Sequence, residues 1–473
     1  MMSGLKQVAY YGVAVLILKG LGFFMLPVFT RVLNQQEYGY LNFLVTLCAA
    51  CSVILSFGLP ELIFRHKQTY KHELNSLITE CVLVSLTGCL VLTLLVCLNI
   101  DSLVLLLPVN VDKLDIYLLL VNLCCSALLS IPYSYWRLQN KAKSYCCACV
   151  AHGLSQTMLS LFLLFLGLGV TGVMLSGAIC SLVILVLALI RVRKSLIFSF
   201  ATREAVIKRR DFYFMSSIVL SSICLYVGNG AENWFIVANS NTQTLAIYFV
   251  AAQFALMTSF AFEPVRMWWF AKRFEKHNNN AALYGYEATR CLNIAIFISL
   301  VMLILSEQLL VLMLPDNYAQ SATWVPLLII VVIFRHHADL LNIGCFLVHN
   351  AKYVFVINAA AALLMLALMA VLVPKYLMTG AVFSLITVHG LRALAFYITS
   401  QMLAPIPYKL SQVIVAWLCL FILILIGYSN TDYVTIKRLL VLSIYGAYLV
   451  RLYFHDISKI AKQLATVCGY KYA

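Results

Sequence analysis

Long apolar runs separated by short polar stretches recur from one end of the chain to the other. Fourteen are long enough to cross a bilayer, which takes about 20 residues. They lie near 8–28, 40–63, 77–99, 114–135, 146–167, 169–190, 212–237, 245–270, 289–313, 324–348, 353–373, 379–401, 408–428 and 436–454. The ten-residue apolar–polar alternation of a membrane barrel is absent, so the pattern predicts an all-α polytopic membrane protein. The fifth and sixth runs nearly touch at Gly167 and Gly169, which predicts a tight hairpin. The longest connection, 191–211, carries Arg191, Arg193, Lys194, Arg203, Lys208, Arg209 and Arg210 and divides the chain after six runs. The organisation expected is a six-span lobe over 1–195, a basic linker over 196–211, a second six-span lobe over 212–402, and two trailing spans with a tail over 403–473. Twelve spans is the alternative.

Composition excludes the soluble classes. Of 473 residues, 63% are hydrophobic and only 11% charged, and the mean hydropathy is +0.94. A net charge of +15 would suggest a nucleic-acid partner in a soluble protein. Here the basic residues gather in alternate connections: Arg65, Lys67 and Lys71, then Arg137, Lys141 and Lys143, then the long linker, then Lys272, Arg273 and Lys276. The positive-inside rule makes those connections, and both termini, cytoplasmic. The sixteen cysteines are scattered through the apolar runs with no His at zinc spacing, so they read as reduced core residues and no metal is expected. The run after Lys6 outlasts a signal-peptide core and lacks a small-x-small cleavage site, so it reads as a retained first helix.

Charges inside the runs carry the candidate chemistry. In 324–348, Arg335, His336, His337 and Asp339 sit at mid-span, where a lone charge costs roughly 2.5–3.5 kcal/mol on insertion scales. At 100° per residue Arg335, Asp339 and Asn342 share a face, His336 flanks it and His337 lies nearly opposite. That face must look at other helices or at water. One reading is an internal Arg335–Asp339 pair that only fixes packing. The other draws on cations at the same depth elsewhere: Lys19 in the first run, Arg392 with His389 one turn earlier in the twelfth, and Arg290 entering the ninth. Gly20 and Gly22 align without gaps on Gly228 and Gly230, and Tyr40 on Tyr248. Glycine-interrupted helices at matching places in two halves point to a transporter's substrate site, or else to close helix packing.

The opening stretch resembles a known family. Lys19, Gly20, Gly22, Phe23, Pro27, Arg31, Leu33, Glu37, Tyr38 and Gly39 spell a motif similar to that of Wzx-type O-antigen and polysaccharide flippases, within the multidrug/oligosaccharidyl-lipid/polysaccharide superfamily. Beyond the first 40 residues or so only the span layout supports the likeness. The seventh run departs from the family habit of an acidic–basic pair near its end, having Glu232, Asn233 and Trp234 instead. The resemblance implies two six-helix lobes in a V around a cavity that opens alternately to cytoplasm and periplasm of the bacterial inner membrane. The implied substrate is an undecaprenyl-diphosphate-linked oligosaccharide.

A diphosphate is held by cations: Arg presents a fork matched to phosphate oxygens, Lys a point charge. Lys19, Arg31, Arg290, Arg335 and Arg392 are therefore the candidate diphosphate contacts. Asn229, Glu232, Asn233, His336, Asp339 and His389 are candidates for sugar contact or for coupling to H+ or Na+, and Gly20, Gly22, Gly228 and Gly230 for hinges. A salt bridge or a packing hydrogen bond is the alternative for each titratable group. A drug exporter of the same fold would line its cavity with carboxylates, and a polymerase or ligase would carry a large external loop. No nucleophile, phosphate-loop or cofactor motif is present, so a non-enzymatic flippase is the leading expectation, with other polysaccharide-assembly membrane proteins as partners.

Overall fold

The computed structural model describes residues 2–65, 71–193, 196, 206–347, 352–428 and 433–467, and among them every regular element is helical. In chain order the α-helices are α1 (Met2–Val32), α2 (Gln35–Leu55), α3 (Leu59–Arg65), α4 (Lys71–Leu98), α5 (Ile100–Leu106), α6 (Lys113–Leu138), α7 (Ala142–Phe165) and α8 (Gly169–Val192). They continue with α9 (Arg209–Asn239), α10 (Thr242–Asn279), α11 (Ala281–Met313), α12 (Val325–Leu340), α13 (Ile343–Leu347), α14 (Lys352–Leu403), α15 (Leu410–Tyr428) and α16 (Val434–Val467). A helix stands at each of the fourteen expected positions. Eleven of the described helices are long and apolar enough to cross a membrane, and the 52-residue α14 is one of them. At 1.5 Å per residue it would run about 78 Å, more than twice the hydrocarbon thickness. It is broken at Leu377 (φ 50°), three residues after Pro374, between the two runs expected at 353–373 and 379–401.

The chain forms two compact units: Met1–Val250 with Asn358–Leu385, and Ala251–Ile357 with Ile386–Ala473. In the first, Leu62, Leu77, Leu129, Trp136 and Ile184 centre a core drawn from α3, α4, α6 and α8. The start of α2 explains three residues of the opening motif. Asn34 caps the helix by accepting the Glu37 amide at 2.9 Å, and the Glu37 carboxylate accepts the Asn34 amide at 2.9 Å, a reciprocal capping box. Tyr38 is buried, with Phe29 and Phe249 rings 6.4 and 6.2 Å away. A Cβ on Gly39 would run into the backbone carbonyl of Thr242, so only glycine lets α10 approach so closely. Gly167 and Gly169 take positive φ (81° and 53°) in the α7–α8 turn, the hairpin expected there. The Glu80 carboxylate on α4 accepts the backbone amides of Val206 and Ile207 at 2.8 Å each, where the linker ends and α9 begins.

The second unit packs Phe262, Trp269, Tyr284, Leu340 and Val413 into its core. Here α15 and α16 lie against α11. Buried Asn293 of α11 donates to Tyr453 at 2.9 Å, and Tyr453 donates to Gln412 of α15 at 3.2 Å. Arg438 of α16 pairs with Glu307 of α11. The run expected as one span at 324–348 is two helices, α12 and α13, divided at Leu341–Asn342. The backbone freed by the break is satisfied by tertiary contacts: the Gly344 amide donates to Ser400 Oγ of α14 at 2.8 Å.

Large apolar side chains such as Leu105, Phe165, Val311, Leu363 and Leu425 stand exposed. That is ruinous in water and appropriate in a hydrocarbon solvent.

Candidate functional site

One cluster of charged groups in the second unit lies on α10, α12 and the later half of α14. Arg266 lies one helical turn after Glu263, and its guanidinium meets both carboxylate oxygens, at 3.1 and 2.7 Å. The same guanidinium reaches Asp339 Oδ2 at 3.9 Å. Asp339 also feels the charges of Arg392 and Arg273. Arg273 lies past the end of the α10 span; its Nη1 donates to Asn342 Oδ1 at 3.0 Å, and its guanidinium sits 4.2–4.9 Å from the rings of Phe270, Phe274 and Phe346. Burial draws its pKa below the usual guanidinium value, opposed by Tyr284 and Asp339; it stays cationic.

Arg335 is arranged differently. Its Nε donates to Nε2 of the buried His389 at 3.4 Å, and among the described residues it forms no ion pair. The Arg335–Asp339 pair allowed by their four-residue spacing is therefore not made: Asp339 turns to Arg266 on α10. Arg392 is half-buried, 5.3 Å from the ring of Phe396, and its charge interacts with those of Asp339 and Arg335. Among the described residues the network counts four guanidinium groups (266, 273, 335, 392) and two carboxylates (263, 339).

His336 is buried, 3.3 Å from Ser259 Oγ and 4.7 Å from the Phe262 ring. His337, on the opposite face, accepts the Trp417 indole N–H on Nε2 at 3.2 Å while Nδ1 lies 2.9 Å from the Ile333 carbonyl. Those partners fix it as the proton-on-Nδ1 tautomer and dock α15 on α12. Arg290 is engaged apart from this network, at 3.3 Å from Glu287, which also accepts from Lys276 at 2.8 Å.

The remaining candidates belong to the first unit. Lys19 is half-buried on α1, and Arg31 is exposed at the end of that helix. The buried Glu232 accepts from Tyr248 at 3.1 Å. Asn233 donates to Thr46 Oγ1 at 3.1 Å and Tyr226 to the Thr46 carbonyl at 3.1 Å, both joining α9 to α2. Asn229 is exposed, its amide bonded to Leu225 of its own helix. The glycine breaks expected near Gly20–Gly22 and Gly228–Gly230 are corrected here: α1 and α9 run unbroken through both. A Cβ at Gly22 or Gly228 meets open space, so close helix packing does not account for these two glycines either.

Sequence reasoning counted Arg273 as a loop cation and passed over Arg266. The three-residue spacing of Glu263 and Arg266 beside Pro264 was the available signal for a local pair.

The family model described as "Polysaccharide biosynthesis protein" matches residues 5–270, more than half of the chain. The chain belongs to the polysaccharide biosynthesis protein family. No curated protein matches its sequence. Among solved structures, this family member is similar to a lipid II flippase, MurJ, in an inward closed conformation: TM-score 0.67, 12% identity, 95% of this chain and 99% of that one covered. It is also similar to an inward-facing multidrug resistance MATE family transporter of the MOP superfamily, with TM-score 0.62, 13% identity and coverage of 82% and 97%. A third match is a MOP superfamily transporter from Pyrococcus furiosus, with a binding pocket described as reversed in polarity: TM-score 0.57, 12% identity, coverage 84% and 95%. The family member thus has the fold of flippases and transporters.

Proposed function

We propose that this family member is a flippase for an undecaprenyl-diphosphate-linked oligosaccharide, an O-antigen or related repeat unit. It carries the lipid from the inner to the outer leaflet of the bacterial inner membrane by alternating access, with both termini cytoplasmic. One observation carries the reading: among the described residues Arg335 is held by a histidine and by no acid. A cation kept at bilayer depth without a carboxylate is costly. An anionic ligand that neutralises it offsets that cost, and a diphosphate matches the guanidinium fork. Arg392 is the further diphosphate contact on the second unit, and Asp339 a group through which an ion gradient drives the cycle. An exporter of cationic drugs needs carboxylates free to bind its substrate, whereas Glu263 and Asp339 are both engaged by Arg266.

The test is Arg335→Ala and Arg392→Ala in cells that depend on this gene for surface polysaccharide. Polymer is expected to fall at least tenfold while the protein persists in the membrane, and Arg335→Lys is expected to restore part of it. Wild-type polymer from both alanine variants overturns the diphosphate assignment.

A further inference from the structure

The first unit holds a cavity of about 740 Å³ far from the arginine network in sequence, lined by α2, α4, α9 and the turn after α2. Its walls are almost wholly apolar: Val84, Gly88 and Leu95 on α4, Phe212, Ser216 and Ile223 on α9. Phe57, at positive φ, lays its ring against Gly88 and forms the floor. On both helices the lining spans twelve residues, 84–95 and 212–223, whose eleven rises of 1.5 Å make about 16 Å. Half of a ~30 Å hydrocarbon core is about 15 Å. The groove therefore matches the depth of one leaflet.

One end of the groove is charged. Arg209 falls within about 60° of Phe212, Ser216 and Ile223 around the α9 axis, one turn before the first of them. Lys208 precedes it, and both are exposed. The nearby acids are already engaged: Glu80 takes the Val206 and Ile207 amides, and Asp211 lies 3.8 Å from Arg65. An apolar trough one leaflet long with two cations at its mouth is complementary to a lipid with a phosphorylated head and a long hydrocarbon chain.

We infer that this groove is a docking site for the polyprenyl chain of the diphosphate-linked substrate, with Lys208 and Arg209 at its diphosphate. The inference rests on the flippase reading and adds to it a second, lateral site on the first unit, where substrate is held by its chain before or after the arginine network holds its head.

The experiment uses the full-length protein in nanodiscs and a polyprenyl diphosphate bearing a photoreactive diazirine on the chain. Labelling is expected to concentrate on residues 84–95 and 212–223. Ser216→Trp, which fills the groove, should lower it at least tenfold, and the exposed double variant Lys208→Ala/Arg209→Ala at least fivefold. A tenfold excess of phosphatidylglycerol should leave it in place. Displacement by phosphatidylglycerol would make the groove a seat for ordinary anionic lipid, and labelling indifferent to all the substitutions would make it a featureless lipid-facing surface; either overturns the inference. Saturable labelling that moves to other helices overturns the groove alone and leaves the flippase reading intact. No saturable labelling anywhere overturns both.

Discussion

Glu80 offers the most direct quantitative test of how the first unit is held together. Its two carboxylate oxygens accept the adjacent amides of Val206 and Ile207 just before α9, each at 2.8 Å. A hydrogen bond to a charged group contributes about 1.5–3 kcal/mol, and a buried donor left without one costs about 1–3 kcal/mol. Glu80→Ala removes both acceptors. Because Val206 precedes α9 and can open without unfolding α4, the loss should appear as local release. A release of about 3 kcal/mol corresponds to roughly a hundredfold increase in opening. Amide hydrogen exchange at Val206 and Ile207 should therefore accelerate about a hundredfold in Glu80→Ala, and less in Glu80→Gln, which keeps one oxygen. Exchange within α6 and α8 should not change. Unaltered exchange at those two amides would show that the carboxylate does not hold the linker, and the argument from charge-assisted hydrogen bonds would fail.

Three further outcomes follow from packing and hydrogen bonding. Gly39→Ala drives a methyl into the Thr242 carbonyl and should cost more than about 2 kcal/mol, seen as loss of folded protein in detergent melts. Gly22→Ala and Gly228→Ala, which meet open space, should leave melting unchanged or raise stability by up to about 1 kcal/mol. Trp417→Phe preserves the ring but strips the donor from His337, for a loss of about 1–3 kcal/mol that His337→Leu in the same chain should largely remove.

The membrane architecture was legible because bilayer thickness imposes a run length that composition cannot disguise. Each expected run has its helix, and the Gly167–Gly169 hairpin is where the two adjacent runs meet. Glu37, Tyr38 and Gly39 were legible as a pattern, and the structure supplies their reasons: a cap, a buried ring and a close crossing. What escaped the sequence was the choice of partner. Arg335 and Asp339 are four residues apart on one face, yet Asp339 turns to Arg266 on another helix. Spacing along one helix says nothing of what a neighbouring helix presents. The break at Leu341–Asn342 was hidden for the same reason: it contains neither Gly nor Pro, and its cost is met by Ser400 and Arg273 from other segments. Conversely Gly228–Asn229–Gly230 looked like a break and is continuous helix, since glycine permits a kink without compelling one.

The bonds that tie α15 and α16 to α11 and α12 bear on how this protein can be shortened or fused. A chain cut after Leu403 would strip the indole from His337, the phenol from Asn293 and the guanidinium from Glu307, leaving three polar groups without those partners. Such a truncation amputates part of the second unit's own wall, and reporters are better grafted beyond the end of α16 than in place of it.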